Sequence, residues 1–267
     1  MIMVKLIITG AAGKMGTALI KCVLEDTDCE IAGLVETKTH PDIGKPSAIM
    51  AGKTNKSLVF EDSLEKVIGK GDVVIDFTEA KASLEHFRIT KQHGKAHIIG
   101  TTGFGDDALA EIHHTKDMRA VISPNMSIGM NVLFDVANKV AGVLKEGYDV
   151  EIVEMHHKWK KDAPSGSALR LKEAVQKAKP DWKWTEVFGR EGITGERKVE
   201  EIGVMSLRGG DVVGEHTVFF TGMGERLEFT HRAFSRDILA RGAILAAKWL
   251  IRQPYGIYSM NDVLGLS

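Results

Sequence analysis

Short apolar runs alternate with stretches of helical periodicity through the first half of the chain. The runs that predict buried strands lie at Val4–Thr9, Ile31–Val35, Asp72–Phe77 and Ala96–Ile99, with a further one around Val121. Between several of them, apolar residues recur every three or four positions, which predicts amphipathic helices. Strands that alternate with helices form a parallel sheet covered on both faces. Right-handed crossovers then give a doubly wound α/β domain.

The pattern changes after about residue 148. A strand is predicted at Val150–Met155, and a helix follows at Ser167–Ala178. Three strand-like runs come next, at 202–207, 213–221 and 227–231, and glycine-containing turns connect them, which predicts an antiparallel meander. A final helix is predicted at about 236–251. We therefore expect a second, α+β domain on a mixed or antiparallel sheet, with the domains at 1–126 and 127–234.

Composition narrows the class of partner. The 267 residues carry 35 Lys and Arg against 36 Asp and Glu, a formal charge of −1. This balance predicts neither nucleic acid nor an anionic membrane as a partner. No apolar run approaches the roughly 20 residues that cross a bilayer. The two cysteines form no CxxC pair, and the start of the chain lacks the pattern of a signal peptide, so we expect a cytoplasmic protein.

A glycine-rich turn follows the first predicted strand and opens a helix. It reads Gly10-Ala11-Ala12-Gly13-Lys14-Met15-Gly16. Glycines let the backbone approach a pyrophosphate, and the helix N-terminus supplies amide groups and a partial positive charge, so this context predicts a dinucleotide cofactor. Glu36 ends the second strand, where an acid binds the ribose hydroxyls of NAD. Lys38 is a candidate for the 2′-phosphate of NADP.

Three more loops follow predicted strand ends, where open α/β sheets bind their ligands. They are Phe77-Thr78, Gly100-Thr101-Thr102-Gly103 and Ser123-Pro124-Asn125-Met126. Their small residues would leave room for the cofactor. Ordinary turn chemistry explains the same composition, so position alone does not decide between the two interpretations.

The most unusual segment runs from Glu154 to Ala168 and is rich in histidine and lysine. It contains His156, His157 and Lys160, and it ends in Pro164-Ser165-Gly166-Ser167 at the start of a helix. The segment lacks thiolates and an HExxH motif, so no metal site is predicted. Cationic side chains and helix amide groups together predict a site for an anionic substrate, with histidine and lysine also able to transfer protons. His216 and His231 lie in predicted strands and are interpreted as structural.

Four motifs occur in an order that resembles the 4-hydroxy-tetrahydrodipicolinate reductase (dihydrodipicolinate reductase) family. They are GAAGKMG, IDFT at 75–78, GTTG at 100–103 and ExHHxxKxDAPSGSA at 154–168. The resemblance implies a Rossmann-like domain, to which the segment 235–267 returns, and a domain that binds substrate and assembles a homotetramer. It implies NADH or NADPH as hydride donor and a cyclic dicarboxylate substrate, reduced in lysine and diaminopimelate biosynthesis.

The resemblance also implies roles for residues at the matching positions. His156 is expected to be the general acid/base and Lys160 a proton donor. His157, Lys160, Gly166 and Ser167 are expected to bind substrate carboxylates, and Ser165 is predicted to belong to the same substrate-binding set. The glycine turn, Glu36 and the loops at 100–102 and 123–126 are expected to contact the cofactor. Thr37 stands where the family often has a basic residue, which favours NADH slightly. Two alternatives stay open: a reductase for another dicarboxylate, and a dinucleotide sensor without catalysis.

Overall fold

The computed structural model describes residues 3–50, 58–144 and 146–266. The strands are β1 (Val4–Thr9), β2 (Cys29–Val35), β3 (Phe60–Glu61), β4 (Val73–Asp76), β5 (Ala96–Ile99), β6 (Arg119–Ile122), β7 (Asp149–His156), β8 (Thr185–Val187), β9 (Glu201–Arg208), β10 (Gly214–Gly222), β11 (Glu225–Ala233) and β12 (Gly256–Tyr258). The helices are α1 (Lys14–Leu24), α2 (Ala80–Gln92), α3 (Asp106–His114), α4 (Ile128–Val143), α5 (Gly166–Ala178), α6 (Asp237–Leu250) and α7 (Met260–Leu264). The polar residues 37–56, with two prolines and two glycines, are predicted from the sequence to be mainly loop, and part of this stretch lies outside the described residues.

The chain divides into two compact units. The first ends at Ile128 and resumes at Arg236, and the second spans Gly129–Ser235. The first contains a seven-stranded parallel sheet in the order β12-β6-β5-β4-β1-β2-β3. The strand order reverses at β1, which pairs with β2 on one side and β4 on the other. In such sheets the crevice at the reversal, outside the carboxyl ends of the strands, is where ligands bind.

Alternation along β1 explains why helices cover both faces of this sheet. Leu6 and Ile8 belong to the core shared with α1 and α6, whereas Ile7 packs with Leu64 and Ile68 on the other face. All five side chains are almost completely buried. Strands buried on both faces are continuous apolar runs, which is why the sequence predicts β1 and β4 well.

The C-terminal segment belongs to the first unit. Helix α6 packs against α1, and Lys248 forms an ion pair with Asp26 at 2.6 Å. Strand β12 then adds to the sheet beside β6 in parallel. The pattern predicts α6, but β12 has three residues and α7 has five, which is too short for a periodicity to be visible.

The second unit has a mixed five-stranded sheet in the order β11-β10-β7-β9-β8. The predicted antiparallel meander is wrong. Only β10 and β11 form a hairpin, whereas β9 is parallel to β7 and is separated from β10 by it. Apolar side chains of β7, β9 and β10 form one core with α4 and α5 on a single face of the sheet. No helix in the described ranges is long and apolar enough to cross a membrane.

Candidate active site

The glycine turn lies at the carboxyl end of β1, at the reversal of strand order. Gly10 has φ +61°, a left-handed conformation that favours glycine. A Cβ atom on Gly16 would lie 2.3 Å from the Gly10 carbonyl oxygen, so this close packing of α1 on the turn requires glycine. Gly13 is the N-cap of α1 and provides no side-chain cap. The turn is therefore suited to a phosphate at the uncapped helix N-terminus.

Glu36 follows β2 and contacts this turn directly. Its Oε2 atom accepts a hydrogen bond from the amide of Ala12 at 3.0 Å, and its Oε1 atom accepts one from the amide of Thr37 at 2.9 Å. Lys38 is exposed two residues later. The acid predicted to bind ribose thus lies beside the turn predicted to bind phosphate.

A buried carboxylate joins the loops that follow β4 and β5. Asp76 accepts hydrogen bonds from the Thr78 amide at 2.8 Å, the Thr78 hydroxyl at 2.6 Å and the Thr101 hydroxyl at 3.3 Å. His86 lies 2.7 Å from its other oxygen. Burial opposes ionisation, but contacts with His86 and His97 outweigh it and hold the pKa of Asp76 far below its usual value. The negative charge of Asp76 therefore holds both loops in place.

The other predicted cofactor residues lie at the same edge of the sheet, with different exposure. Gly100 packs against the ring of Phe77, where a Cβ atom would lie 2.2 Å from the ring. Thr102 and Pro124 are exposed, and Asn125 is partly buried. Ser123 donates its hydroxyl to the Asn125 carbonyl at 2.8 Å. Thr101 and Ser123 are each 4% exposed, and Met126 is fully buried in the core with Ala11. A ligand at this edge would reach the Met126 backbone rather than its side chain.

In the second unit, the cationic segment begins where β7 ends. His156 is the last residue of the strand, so His157 is free of the strict alternation that would send adjacent side chains to opposite faces. Within the described residues, the buried Nδ1 atom of His157 has no hydrogen-bond partner. Lys160 forms an ion pair with Asp162 at 2.9 Å. This pairing, together with a backbone bond from Lys160 to His157, gives the segment a defined turn.

Glu154 lies on the buried face of β7 and is completely inaccessible to solvent. Its Oε2 atom lies 2.6 Å from Nδ1 of His156. Arg208 of β9 donates to both carboxylate oxygens, each at 2.8 Å. Burial raises the pKa of Glu154, but the hydrogen bonds from His156 and Arg208 outweigh this effect, and the pKa lies well below its usual value. Glu154 is therefore ionised.

Helix α5 begins beside this network. Ser165 is its N-cap, and the Ser165 hydroxyl accepts from the Ala168 amide at 3.2 Å and lies 3.0 Å from Nε2 of His216. Ser165 is 2% exposed, so its side chain serves the turn itself. Gly166 and Ser167 form the first turn of α5, with Gly166 exposed. The turn offers the groups that bind a carboxylate: backbone amides and a helix N-terminus.

Sequence reasoning missed Glu154 and Arg208. A signal was present, because Glu154 alternates with Val150 and Ile152 on the buried face of a strand. An acid at such a position requires a cationic or hydrogen-bonding partner. His216 was interpreted as structural, and its buried ring packs edge to face against that of His156, with centroids 5.2 Å apart. Burial and the nearby His156 lower the pKa of His216 to about 3, so this ring is neutral.

The side chains of this cluster include cations and groups that can transfer protons. Across the described ranges, no three or more His, Cys, Asp or Glu side chains are grouped so that they could hold a metal ion. Both cysteines are buried free thiols.

Two family descriptions match this chain along nearly its whole length. "Dihydrodipicolinate reductase, N-terminus" matches residues 4–126, and "Dihydrodipicolinate reductase, C-terminus" matches residues 129–264. The chain belongs to the dihydrodipicolinate reductase family. This family catalyses the NADH- or NADPH-dependent step of lysine and diaminopimelate biosynthesis.

Relatives named 4-hydroxy-tetrahydrodipicolinate reductase match end to end. The one from Anaeromyxobacter dehalogenans strain 2CP-1 is 48% identical and covers 99% of this chain and 98% of its own length. The one from Syntrophus aciditrophicus is 45% identical, with 98% and 99% covered. Among solved structures, dipicolinate-bound dihydrodipicolinate reductase from Paenisporosarcina sp. TG-14 is 25% identical with a TM-score of 0.76, covering 98% and 99%. An amine dehydrogenase from Mycobacterium smegmatis shares the fold alone, at 11% identity and a TM-score of 0.58.

Proposed function

We propose that this chain reduces 4-hydroxy-tetrahydrodipicolinate to tetrahydrodipicolinate, consuming one NADH or NADPH and one proton and releasing water. The observation that carries this assignment is the cluster in the second unit. There, His156 and the Ser165 amide at the start of α5 both contact the buried carboxylate of Glu154, and His157 and Lys160 follow His156 in the same segment. A dianionic ring substrate needs two anion-binding groups and a nearby proton donor, and this cluster supplies all three.

The first unit would hold the cofactor. The glycine turn and the N-terminus of α1 would bind its pyrophosphate, and Glu36 would accept hydrogen bonds from the adenosine ribose. A 2′-phosphate would meet the negative charge of Glu36, which Lys38 would have to offset, so NADH is the preferred donor in this proposal. The loops fixed by Asp76 would line the rest of the cofactor. When bound, NADH or NADPH supplies the hydride.

The second unit would hold the substrate. His157 and Lys160 would bind one carboxylate, and the Gly166 amide with the Ser167 hydroxyl would bind the other. Two anchors fix the orientation of the ring, which is worth several kcal/mol when it aligns reacting atoms. Lys160 would donate a proton to the ring as negative charge develops, and His156 would act as general acid/base. Ser165 would hold the turn in shape.

We also propose that the chain works as a homotetramer in the cytoplasm. In the part of the second unit that the structure describes, α4 and α5 pack on one face of the sheet. Its other face carries apolar side chains that include Leu207, which is 51% exposed and lies opposite Met155 in the sheet. An exposed apolar sheet face of this kind is typical of a subunit contact. Sedimentation or light scattering would give the mass, and a monomer at micromolar concentration would contradict the tetramer.

The activity is tested by following the absorbance of NADH and NADPH. A condensing synthase would form the unstable substrate in the cuvette from pyruvate and aspartate semialdehyde. Rapid oxidation that depends on both precursors supports the proposal, and a higher rate with NADH supports the role given to Glu36. If a folded protein oxidises neither cofactor, thermal stabilisation separates the remaining alternatives. A sensor would respond to dinucleotide alone, whereas a reductase for another substrate would gain further stability with its own dicarboxylate.

A further inference from the structure

The cluster in the second unit is held together by a carboxylate to which the proposed function assigns no contact with substrate or cofactor. Glu154 is completely buried, yet it contacts both halves of the proposed substrate site. Its Oε2 atom lies 2.6 Å from Nδ1 of His156, and its Oε1 atom accepts the Ser165 amide at 3.1 Å. We propose, resting on the function above, that Glu154 is a positioning residue. Its carboxylate fixes both the proton-exchanging atom of His156 and the carboxylate-binding turn of α5.

The direction of the hydrogen bond to His156 follows from the charge on Glu154. An ionised carboxylate can only accept, so Nδ1 of His156 must carry the proton and donate it. In the neutral ring, this leaves Nε2 as the atom that exchanges a proton with the substrate. A buried carboxylate orients an imidazole in the same way in serine hydrolases, where it selects the tautomer without accepting the proton.

Arg208 explains why the carboxylate stays charged and in place. It donates to both oxygens of Glu154, so each oxygen has two donors: Arg208 and His156 on one, Arg208 and the Ser165 amide on the other. The same guanidinium donates to the carbonyl of Asp162 at 2.7 Å, in the segment that carries Lys160. The ion pair between Glu154 and Arg208 therefore links the end of β7, the cationic segment and the start of α5.

The surroundings of Nε2 on His156 agree with this assignment. A Cβ atom on Gly214 of β10 would lie 3.1 Å from Nε2. Glycine at 214 therefore leaves space beside the atom that the proposal makes reactive. Across the described ranges, Nδ1 is the His156 ring atom with a recorded hydrogen bond.

The test uses the full-length enzyme with Glu154→Gln and Glu154→Ala. Glutamine keeps the size and one acceptor oxygen but brings an amide group toward Arg208 or His156, so the ring loses its single tautomer. We expect kcat to fall by about 100-fold or more in Glu154→Gln, while KM for the substrate changes by less than about threefold. Alanine also releases the Ser165 amide, so Glu154→Ala should raise KM as well as lower kcat. Glu173→Gln, an exposed partner of Arg170 on α5, is the matched control and should leave both constants unchanged.

A spectroscopic readout separates positioning from folding. In protein with ¹⁵N-labelled histidine, the neutral His156 ring of the wild type should carry its proton at Nδ1 only. Glu154→Gln should show a mixture of tautomers, with the NADH dissociation constant and the circular dichroism spectrum unchanged. The proposal is overturned if Glu154→Gln keeps kcat within about threefold of the wild type, or if the wild-type ring carries its proton on Nε2. If the wild type itself fails to oxidise NADH with substrate, the proposed function fails, and the ring spectrum alone decides the role of Glu154.

Discussion

The buried imidazole of His216 makes the stability of the second unit sensitive to mild acid. His216 is 4% exposed on β10, and its pKa is lowered from 6.5 to about 3 by burial and by the nearby His156. Its Nε2 atom contacts the Ser165 hydroxyl. Replacement with glutamine keeps a polar group near that hydroxyl and removes the titration.

The sign and size of the effect follow from proton linkage. Below pH 6.5 the unfolded chain binds a proton at His216 that the folded chain does not take up until about pH 3. Folding stability must therefore fall as the pH falls through this window. One proton corresponds to about 1.4 kcal/mol per pH unit. Between pH 6.5 and pH 5 the wild type should lose about 2 kcal/mol through this residue alone.

Urea denaturation of the wild type and His216→Gln at pH 7.0 and pH 5.0 measures this difference. The wild type should lose about 2 kcal/mol more than the variant between the two pH values. The fixed cost of the substitution cancels in this comparison, as do contributions from the first unit. His114→Gln, at an exposed position on α3, should behave like the wild type. Equal losses in the wild type and His216→Gln would refute the argument that His216 is buried as the neutral ring.

Three further substitutions test other parts of the account. Gly16→Ala should abolish NADH binding by calorimetry, because its Cβ would overlap the glycine turn, whereas Gly69→Ala, with open space around it, should bind normally. Asp76→Ala should lower the free energy of unfolding by about 3 kcal/mol in urea, because it strips a buried charge network, and unchanged stability would contradict that network. Gly214→Ala should lower kcat but not NADH affinity, since its Cβ would press on His156; normal turnover would show that the ring has room.

Local patterns predicted the longer strands and helices of the first unit well, but not the partners of strands in the second. Runs such as β4 are apolar throughout because both faces are covered. In contrast, β9 and β10 follow each other in sequence with turn residues between them, yet β7 lies between them in the sheet. Period-two alternation shows on which face of the sheet a side chain lies. It does not show which strand is the neighbour.

Site residues were predicted where they belong to one continuous sequence motif. They were missed where distant segments meet only through packing. The turn at 10–16 and the start of α5 are continuous in sequence, so their chemistry is visible there. Glu154 and Arg208 are 54 positions apart and meet only because β7 and β9 are neighbours. Met126 was selected by its position in a loop, and the burial of its side chain in the core was not visible from that position.

The central claim is that the segment after β7 binds the substrate and donates the proton for its reduction. Substitution of Lys160 tests this claim most directly. The measurement is the rate of NADH oxidation with enzymatically generated substrate for the wild type, Lys160→Ala and the exposed neighbour control Lys161→Ala. We expect kcat to fall by about 100-fold or more in Lys160→Ala, with the NADH dissociation constant unchanged, and Lys161→Ala to match the wild type. Wild-type turnover in Lys160→Ala, or an equal loss of turnover and NADH affinity, would contradict the placement of Lys160 at the substrate.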